Sequence, residues 1–262
     1  MAWKDAFSYM RGVASKHGVG ASERREDQDL PLGARIGSVL NVQQSPFIRA
    51  NSNGSLIAMP NGADTRILAV SQIKLNMAGG LFRYYMATGD VDAREKFLQV
   101  FRNAQGEVAE IMYCTQLARV IPETTEDQDA YTGVSGSGLG DKTYTLWREQ
   151  LGDIGLDSAD LDLVFGDSDH IDYWRDAGDA GAEFIAPFTG TETRIDDAAG
   201  LHGLRQEIYF MPYVRELKGG GQEYLLITTE IIDSVDGDTS RRGIHVDFVI
   251  GIPLEQERVV IQ

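Results

Sequence analysis

The sequence predicts a mainly β protein of the α+β class, with two antiparallel β-rich halves, an N-terminal amphipathic helix and a short helix near residues 142–151. Three observations lead to this prediction. Residues 206–252 contain three β-prone runs joined by turn-rich connections, which is the pattern of an antiparallel meander. Short apolar runs interrupted by glycine and proline fill residues 30–122. Apolar residues recur at helical spacing over residues 2–16.

The meander provides the clearest strand pattern in the chain. In its last run, His245 and Asp247 lie on one predicted face of the strand. The opposite face is apolar and consists of Ile244, Val246, Phe248 and Ile250. Because Pro212 interrupts the first run and lacks an N–H group, we predict that this run is an edge strand or contains a bulge.

Composition shifts along the chain predict its division into segments. An acidic and then Gly/Ser-rich stretch follows Pro122 and separates the two β-rich halves. The predicted segments are an amphipathic helix at 1–20, a polar tether at 21–29, a first half at 30–122, a linker at 123–140 and an acidic second half at 141–262.

The N-terminal helix is predicted to be amphipathic. Trp3, Phe7 and Met10 fall on one side, and Lys4 and Arg11 fall on the other. Such a short helix is marginal alone in water, so we expect a surface to hold it. Three surfaces remain open: the protein's own domain, a partner helix, or a membrane surface with anionic lipid.

Shorter elements follow from local patterns. The runs at 45–50, 54–60, 160–166, 170–177 and 183–196 are interpreted as strands. The Asn-Gly pairs at 53–54 and 61–62 predict hairpin turns. We predict a helix over residues 142–151, with Asp141 as its N-cap and Gly152 after its end.

Overall composition predicts a globular, cytoplasmic protein. Cys114 is the only cysteine, which excludes an internal disulfide and suits a reducing compartment. No apolar run approaches the ~18 residues of a membrane span. Lys4 and Asp5 stand where a signal peptide would require an apolar region.

The negative charge is concentrated in the second half. Residues 1–122 hold 14 Lys+Arg and 11 Asp+Glu, whereas residues 123–262 hold 10 and 29. A surface this acidic repels a phosphate backbone, so nucleic-acid binding is not expected.

One Gly-rich segment resembles a phosphate-binding loop. Residues 136–143 approach the GxxxxGK[ST] pattern, but Asp141 replaces the glycine that must precede Lys142. A carboxylate there would face the anion, so a linker followed by a helix cap explains the segment better, and no cofactor is predicted.

A second cluster is a candidate metal site. The potential ligands are Asp167, Asp169, His170 and Asp172. The alternation of ligands found in an EF-hand is absent, so a solvated acidic turn is the simpler interpretation.

Catalytic signatures are weak. Cys114 lies among apolar residues, where a buried and inert thiol is expected. His245 and Asp247 could form an orienting pair, but no nucleophile elbow accompanies them. The sequence therefore favours a protein that is not an enzyme, with no catalytic residues to name.

Several spaced patches of the sequence together carry a family resemblance; they are 30–37, 46–47, 81–85, 97–100, 146–149 with Gly152, 213–216 and 223–227. They resemble the pattern of the bacterial YjfK-like family, a domain of unknown function. The resemblance covers residues 30–260 and implies a bacterial protein without assigned catalytic residues. It also implies an envelope-associated role, because members of the family are often encoded near small membrane proteins.

Two functional hypotheses remain. The first is a non-enzymatic accessory protein that binds a protein partner and lies at the inner membrane through Trp3, Phe7, Met10, Lys4 and Arg11. The second is an enzyme or a small-ligand or metal-binding protein, with a site between the two halves.

Overall fold

A computed structural model describes residues 25–262 apart from 61, 63, 88–93 and 233–242. Three parts of the sequence predictions lie outside the described residues. They are the N-terminal helix, Asn61 of the Asn61-Gly62 turn, and residues 233–242 before the last strand of the meander. The strands are β1 Val39–Val42, β2 Asp64–Leu75, β3 Gly80–Met86, β4 Lys96–Arg102, β5 Val108–Val120, β6 Thr143–Trp147, β7 His170–Arg175, β8 Phe188–Ile195, β9 Gly203–Glu216, β10 Gln222–Ile232, β11 Gly243–Pro253 and β12 Val259–Ile261. The helices are α1 Ser45–Ser52, α2 Thr125–Thr132, α3 Arg148–Asp153 and α4 Ser158–Phe165, with 3₁₀ turns at Pro31–Gly33 and Gln256–Arg258.

Eight antiparallel strands close into a β-barrel. Their order around the barrel is β2-β3-β4-β5-β11-β10-β9-β8, and β8 pairs with both β9 and β2. The predicted meander is confirmed, because β9, β10 and β11 are antiparallel neighbours. Residues 30–122 and 141–262 each contribute four strands, so the two halves share one barrel.

Two of the barrel strands are long enough to pair with further strands. The first residues of β2 pair with β1, which also pairs with β12. The last residues of β9 pair with β7, which also pairs with β6. The sheet therefore continues beyond the barrel at both places.

A second apolar core covers part of the outside of the barrel. Outward-facing residues of β4, β5, β9, β10 and β11 pack against α1, α3, α4, β6 and β7. The buried residues of this outer core include Phe47, Leu98, Tyr113, Leu146, Val164, Tyr173, Met211, Ile227 and Phe248. The additional segments thus form a layer over one side of the barrel.

A buried carboxylate joins this layer to the barrel. Glu223 on β10 is fully buried. It accepts hydrogen bonds from the Tyr173 hydroxyl at 2.7 Å, Arg215 Nε at 2.8 Å and the Leu56 N–H at 2.7 Å, and the Ser55 hydroxyl donates a fourth. These donors compensate the cost of burying the charge.

The prediction of a short helix over residues 142–151 is wrong for the first half of that segment. Residues 143–147 form strand β6, which pairs with β7, and α3 begins only at Arg148. Thr143, Tyr144 and Thr145 have side chains that favour strands, and pairing of Leu146 with Ile171 satisfies the backbone. Amphipathic spacing alone did not reveal that partner strand.

Two runs interpreted as strands are helices. Residues 45–50 belong to α1, where Pro46 occupies the first turn and Phe47 and Ala50 are buried one turn apart. Residues 160–166 largely belong to α4, because the Asp157 side chain caps its start by accepting a bond from Asp160 N–H at 2.9 Å.

The predicted linker at 123–140 contains a helix. Thr124 caps the start of α2, and Gly133 ends it in the left-handed conformation with φ 67°. Two acidic residues of the linker, Glu126 and Asp127, lie in the first turn of α2. Their negative charges stabilise the helix by interacting with the positive end of its dipole.

The prediction that Pro212 marks an edge strand or a bulge is wrong, because β9 has neighbours on both sides. On one side Pro212 pairs in register with Leu226. On the other side it lies between Phe210, which pairs with β8, and Tyr213, which pairs with β7. The changeover between these two strands accommodates a residue without an N–H group.

Barrel closure requires a close backbone approach at Gly190. A Cβ atom at this position would lie 2.0 Å from the carbonyl oxygen of Lys74 on β2. We expect Gly190→Ala to lower the free energy of unfolding by about 1–3 kcal/mol, because the seam between β8 and β2 must open to accept the methyl group. Urea unfolding measures this change.

Gly181→Ala is the matched control for this prediction. A Cβ atom at Gly181 would meet only the Asp179 side chain, at 3.3 Å. Equal unfolding midpoints for the two variants would contradict the proposed role of Gly190.

Candidate functional site

The interior of the barrel is apolar at one end and charged at the other. Alternate residues of all eight strands point inward, as the cross-strand registers require. Apolar inward residues include Ile73, Leu81, Phe97, Met112, Ile208, Phe210, Leu226 and Val249. The interior therefore provides two chemically different environments.

The apolar end contains a cavity of about 200 Å³ that is open to solvent on one side. Seven of the eight barrel strands contribute to its wall, and the eighth, β11, has Gly251 opposite Tyr224 and so adds no side chain at that level. Its apolar side chains include Leu75, Leu81, Phe101, Phe188, Phe210 and Leu226. A preformed apolar cavity of this kind is the usual form of a small-molecule site.

Two acidic residues and a tyrosine lie at the rim of the cavity. Glu110 is opposite Phe101 in the β4–β5 register, and Asp176 is held by its N–H donating to Pro212 O at 2.9 Å. Partial burial and the Asp176 carboxylate raise the pKa of Glu110. Burial, Asp176 and Glu110 raise the pKa of Tyr224 to about 12. The rim is thus locally negative.

Arg83 organises the polar part of the interior. Its guanidinium is buried and donates to Gln99 Oε1 at 3.2 Å and to Thr228 Oγ1 at 3.1 Å. It also lies 3.8 Å from Glu192, which accepts bonds from the Tyr85 hydroxyl at 3.0 Å and Gln206 Nε2 at 2.9 Å. Each buried charge therefore has polar partners.

A second charged group lies between β5, β10 and β11. Arg119 donates two bonds of 2.6 Å to Asp247 and lies 3.8 Å from Glu230. Burial, followed by the nearby Asp247 and Glu192 carboxylates, raises the pKa of Glu230 to about 8 against the opposing effect of Arg83 and Arg119. Glu230 therefore keeps its proton to a higher pH than an ordinary glutamate does.

Three buried polar atoms on inward-facing residues have no hydrogen-bond partner within the described structure. They are Ser71 Oγ, Gln206 Oε1 and His245 Nδ1. Ser71 is opposite both Arg83 and Arg194, and Gln206 is opposite Glu192. Unsatisfied atoms in such a polar region are suited to ordered water.

The sequence-derived metal candidates do not converge on a metal-binding arrangement. His170 Nδ1 lies 2.7 Å from Asp169 and its Nε2 lies 3.9 Å from Asp172, while the ring contacts Trp147. The hydrogen bond to Asp169 raises the pKa of the exposed His170. Among the described residues, including Asp167, no group of three or more His, Cys, Asp or Glu side chains could hold a metal ion.

The remaining candidates are Cys114, the pair of His245 and Asp247, and the Gly-rich segment. Cys114 is inside the barrel, where burial raises the pKa of its thiol, as expected for an inert residue. His245 and Asp247 do share a face, but Asp247 is paired with Arg119 and Gln116. In the Gly-rich segment, the Asp141 carboxylate accepts a bond from Gly138 N–H at 3.0 Å and so occupies the loop itself.

Sequence reasoning missed the cavity. Its wall comes from strands that are far apart in the sequence, and no local motif connects Leu75, Phe101, Phe188 and Tyr224. Alternation along each strand could have identified inward-facing residues, but it could not show that β8 pairs with β2 and closes the barrel.

The fold and its interior define a class: a closed antiparallel β-barrel with an outer layer and an accessible apolar end. The chain belongs to a protein family of unknown function, DUF2491, whose profile matches residues 16–259. No curated protein and no solved structure matches the chain. None of the helices in the described part of the chain has the length and apolar composition of a membrane span.

The raised pKa of Glu230 predicts a pH dependence of stability. The folded protein holds a proton on Glu230 between its ordinary pKa of 4.5 and about 8, whereas the unfolded chain releases it. Stability from this group is therefore complete below pH 4.5 and is lost as the pH rises towards 8, with a slope of about 1 kcal/mol per pH unit.

Glu230→Gln replaces the titratable carboxyl with an amide. The unfolding free energy of this variant should therefore decline less steeply between pH 4.5 and about 8. The exposed Glu207→Gln, on β9, is the control and should keep the slope of the unmodified protein. Identical pH profiles for Glu230→Gln and the unmodified protein would contradict the prediction.

Proposed function

We propose that this chain is a binding protein that takes a small apolar molecule into the open end of its barrel. The observation that supports this proposal is the cavity of about 200 Å³, lined by apolar side chains from seven strands. Since the barrel is closed by backbone hydrogen bonds, the cavity is formed before a ligand enters, which lowers the entropic cost of binding.

The size of the cavity limits the ligand. A dry protein cavity of about 150 Å³ accommodates benzene, so the present cavity suits a molecule of about eight to ten non-hydrogen atoms. Burial of an eight-carbon chain contributes about 6 kcal/mol before the cost of ordering is subtracted. Dissociation constants on the order of micromolar to millimolar are expected.

Binding is favoured over catalysis by the way in which the charged groups are used. Arg83, Glu192, Arg119 and Asp247 bond to one another or to neighbouring polar side chains. They stabilise the polar end of the barrel, and the apolar cavity lies at the other end. Of the two hypotheses, this use of the charged groups favours a site between the two halves, and it favours small-ligand binding at that site over catalysis.

An accessory role with a protein partner is a second proposal. The surface that favours it is the outward face of β6 and β7, where Trp147 is 46% exposed and Trp174 is 53% exposed. Exposed tryptophans are enriched in protein interfaces. Under this proposal the chain is a bacterial, cytoplasmic YjfK-like protein, associated with the envelope through residues 2–16.

Filling the cavity tests ligand binding. Leu75 lines the cavity from strand β2 and is only partly buried, so a larger side chain at this position extends into the cavity. We expect Leu75→Trp to weaken the binding of 1-octanol by about tenfold or more, as measured by calorimetry, because the indole occupies the space of the ligand.

Leu68→Trp is the matched control, because Leu68 is on the same strand and 52% exposed. It should leave the affinity unchanged. Equal affinities of the two variants for 1-octanol would refute the proposed site.

Liposome flotation tests the membrane part of the second proposal. The full chain is compared with a chain lacking residues 1–20, using vesicles with and without anionic lipid. We expect the full chain, but not the truncated chain, to float with the anionic vesicles. The reason is that Lys4 and Arg11 attract anionic lipid while Trp3 and Phe7 enter the headgroup layer. Equal recovery of both chains would discard this proposal.

A further inference from the structure

We infer that the ligand of the barrel carries a positive charge next to its apolar part, as in a primary alkylamine. This inference rests on the proposed function and specifies the chemistry of the same site. Its basis is the combination of an apolar cavity with two carboxylates at the entrance, Glu110 and Asp176.

The two carboxylates are fixed at the rim by the backbone. Glu110 is an inward position of β5, in register with Phe101 across the strand pair. Asp176 directly follows β7, and its N–H bond to Pro212 places it beside β9. Both residues line the cavity together with Tyr224, so a group that leaves the apolar part of the cavity meets them first.

Neither carboxylate is neutralised within the described chain. The ion pairs of the described residues include neither Glu110 nor Asp176. The electrostatic influence on Glu110 is instead repulsive and comes from Asp176, and both residues act in the same sense on Tyr224. Both rim carboxylates are exposed, whereas the buried carboxylates Glu192 and Asp247 each face an arginine.

A cation from a ligand would supply the missing charge. An ammonium group is a compact donor of three hydrogen bonds, which two carboxylates and a tyrosine hydroxyl can accept. The rings of Phe101 and Tyr224 at the same entrance can also stabilise a cation over their faces. An anionic ligand would instead place like charges together, and a neutral alcohol would gain no charge–charge attraction from the two carboxylates.

The experiment compares three ligands with the same eight-carbon chain. Octylamine, 1-octanol and octanoate are titrated calorimetrically into the full-length protein at pH 7. We expect octylamine to bind about tenfold or more tightly than 1-octanol and octanoate to bind most weakly, since each tenfold step corresponds to about 1.4 kcal/mol. The preference for the amine should fall as salt concentration rises.

A charge-neutral variant locates the source of the preference. Glu110→Gln combined with Asp176→Asn should bring the affinity for octylamine to within about threefold of the affinity for 1-octanol. The matched control is Glu216→Gln combined with Asp153→Asn, which removes the same charge from exposed positions outside the cavity. This control should keep the preference for the amine.

The outcomes separate the inference from the proposed function. Binding of 1-octanol as tight as that of octylamine to the unmodified protein would overturn the inference and leave the apolar site intact. Loss of the preference in the control variant would also overturn it, because overall charge would then be responsible. Absence of binding by all three ligands would refute the proposed function itself.

Discussion

The structure depends on the pairing of β8 with two strands at once. This strand bonds to β9, its successor in the chain, and to β2, which lies more than a hundred residues earlier. Its central residues serve both the backbone and the interior: Gly190 permits the close approach of β2, and Glu192 faces Arg83 and Tyr85 inside. Without this strand the sheet would remain open, and neither the cavity nor the charged interior would exist.

The division of the interior into two ends follows from how a closed barrel can be filled. Where inward side chains are charged, they must pair with one another, and Arg83 and Arg119 each have carboxylate neighbours. Glu230 lies beside these groups, and its burial together with its acidic neighbours raises its pKa. At the apolar end no such pairing is needed, so Leu75, Phe101 and Phe188 can leave a space between them.

The outer layer explains why a barrel of this size carries so many additional elements. The outward faces of β9, β10 and β11 are apolar, so they need cover from α1, α3, α4 and the strands beyond the barrel. Glu223 holds that cover in place through donors from three separate segments. The layer leaves both Trp147 and Trp174 in contact with solvent, so the protein has an exposed aromatic surface apart from the cavity.

The sequence by itself determined the β class, the meander of β9 to β11 and the burial of Cys114, because alternation and β propensity are properties of neighbouring residues. It did not determine that residues 143–147 are a strand or that 160–166 are largely helical, since the pairing of Leu146 with Ile171 and the cap from Asp157 outweigh local spacing. The cavity was decided only by tertiary structure. Closure of the barrel by β8 brings together the four cavity residues Leu75, Glu110, Asp176 and Tyr224. Because β2 and β8 are far apart in the sequence, the local pattern of neither strand indicates that they pair.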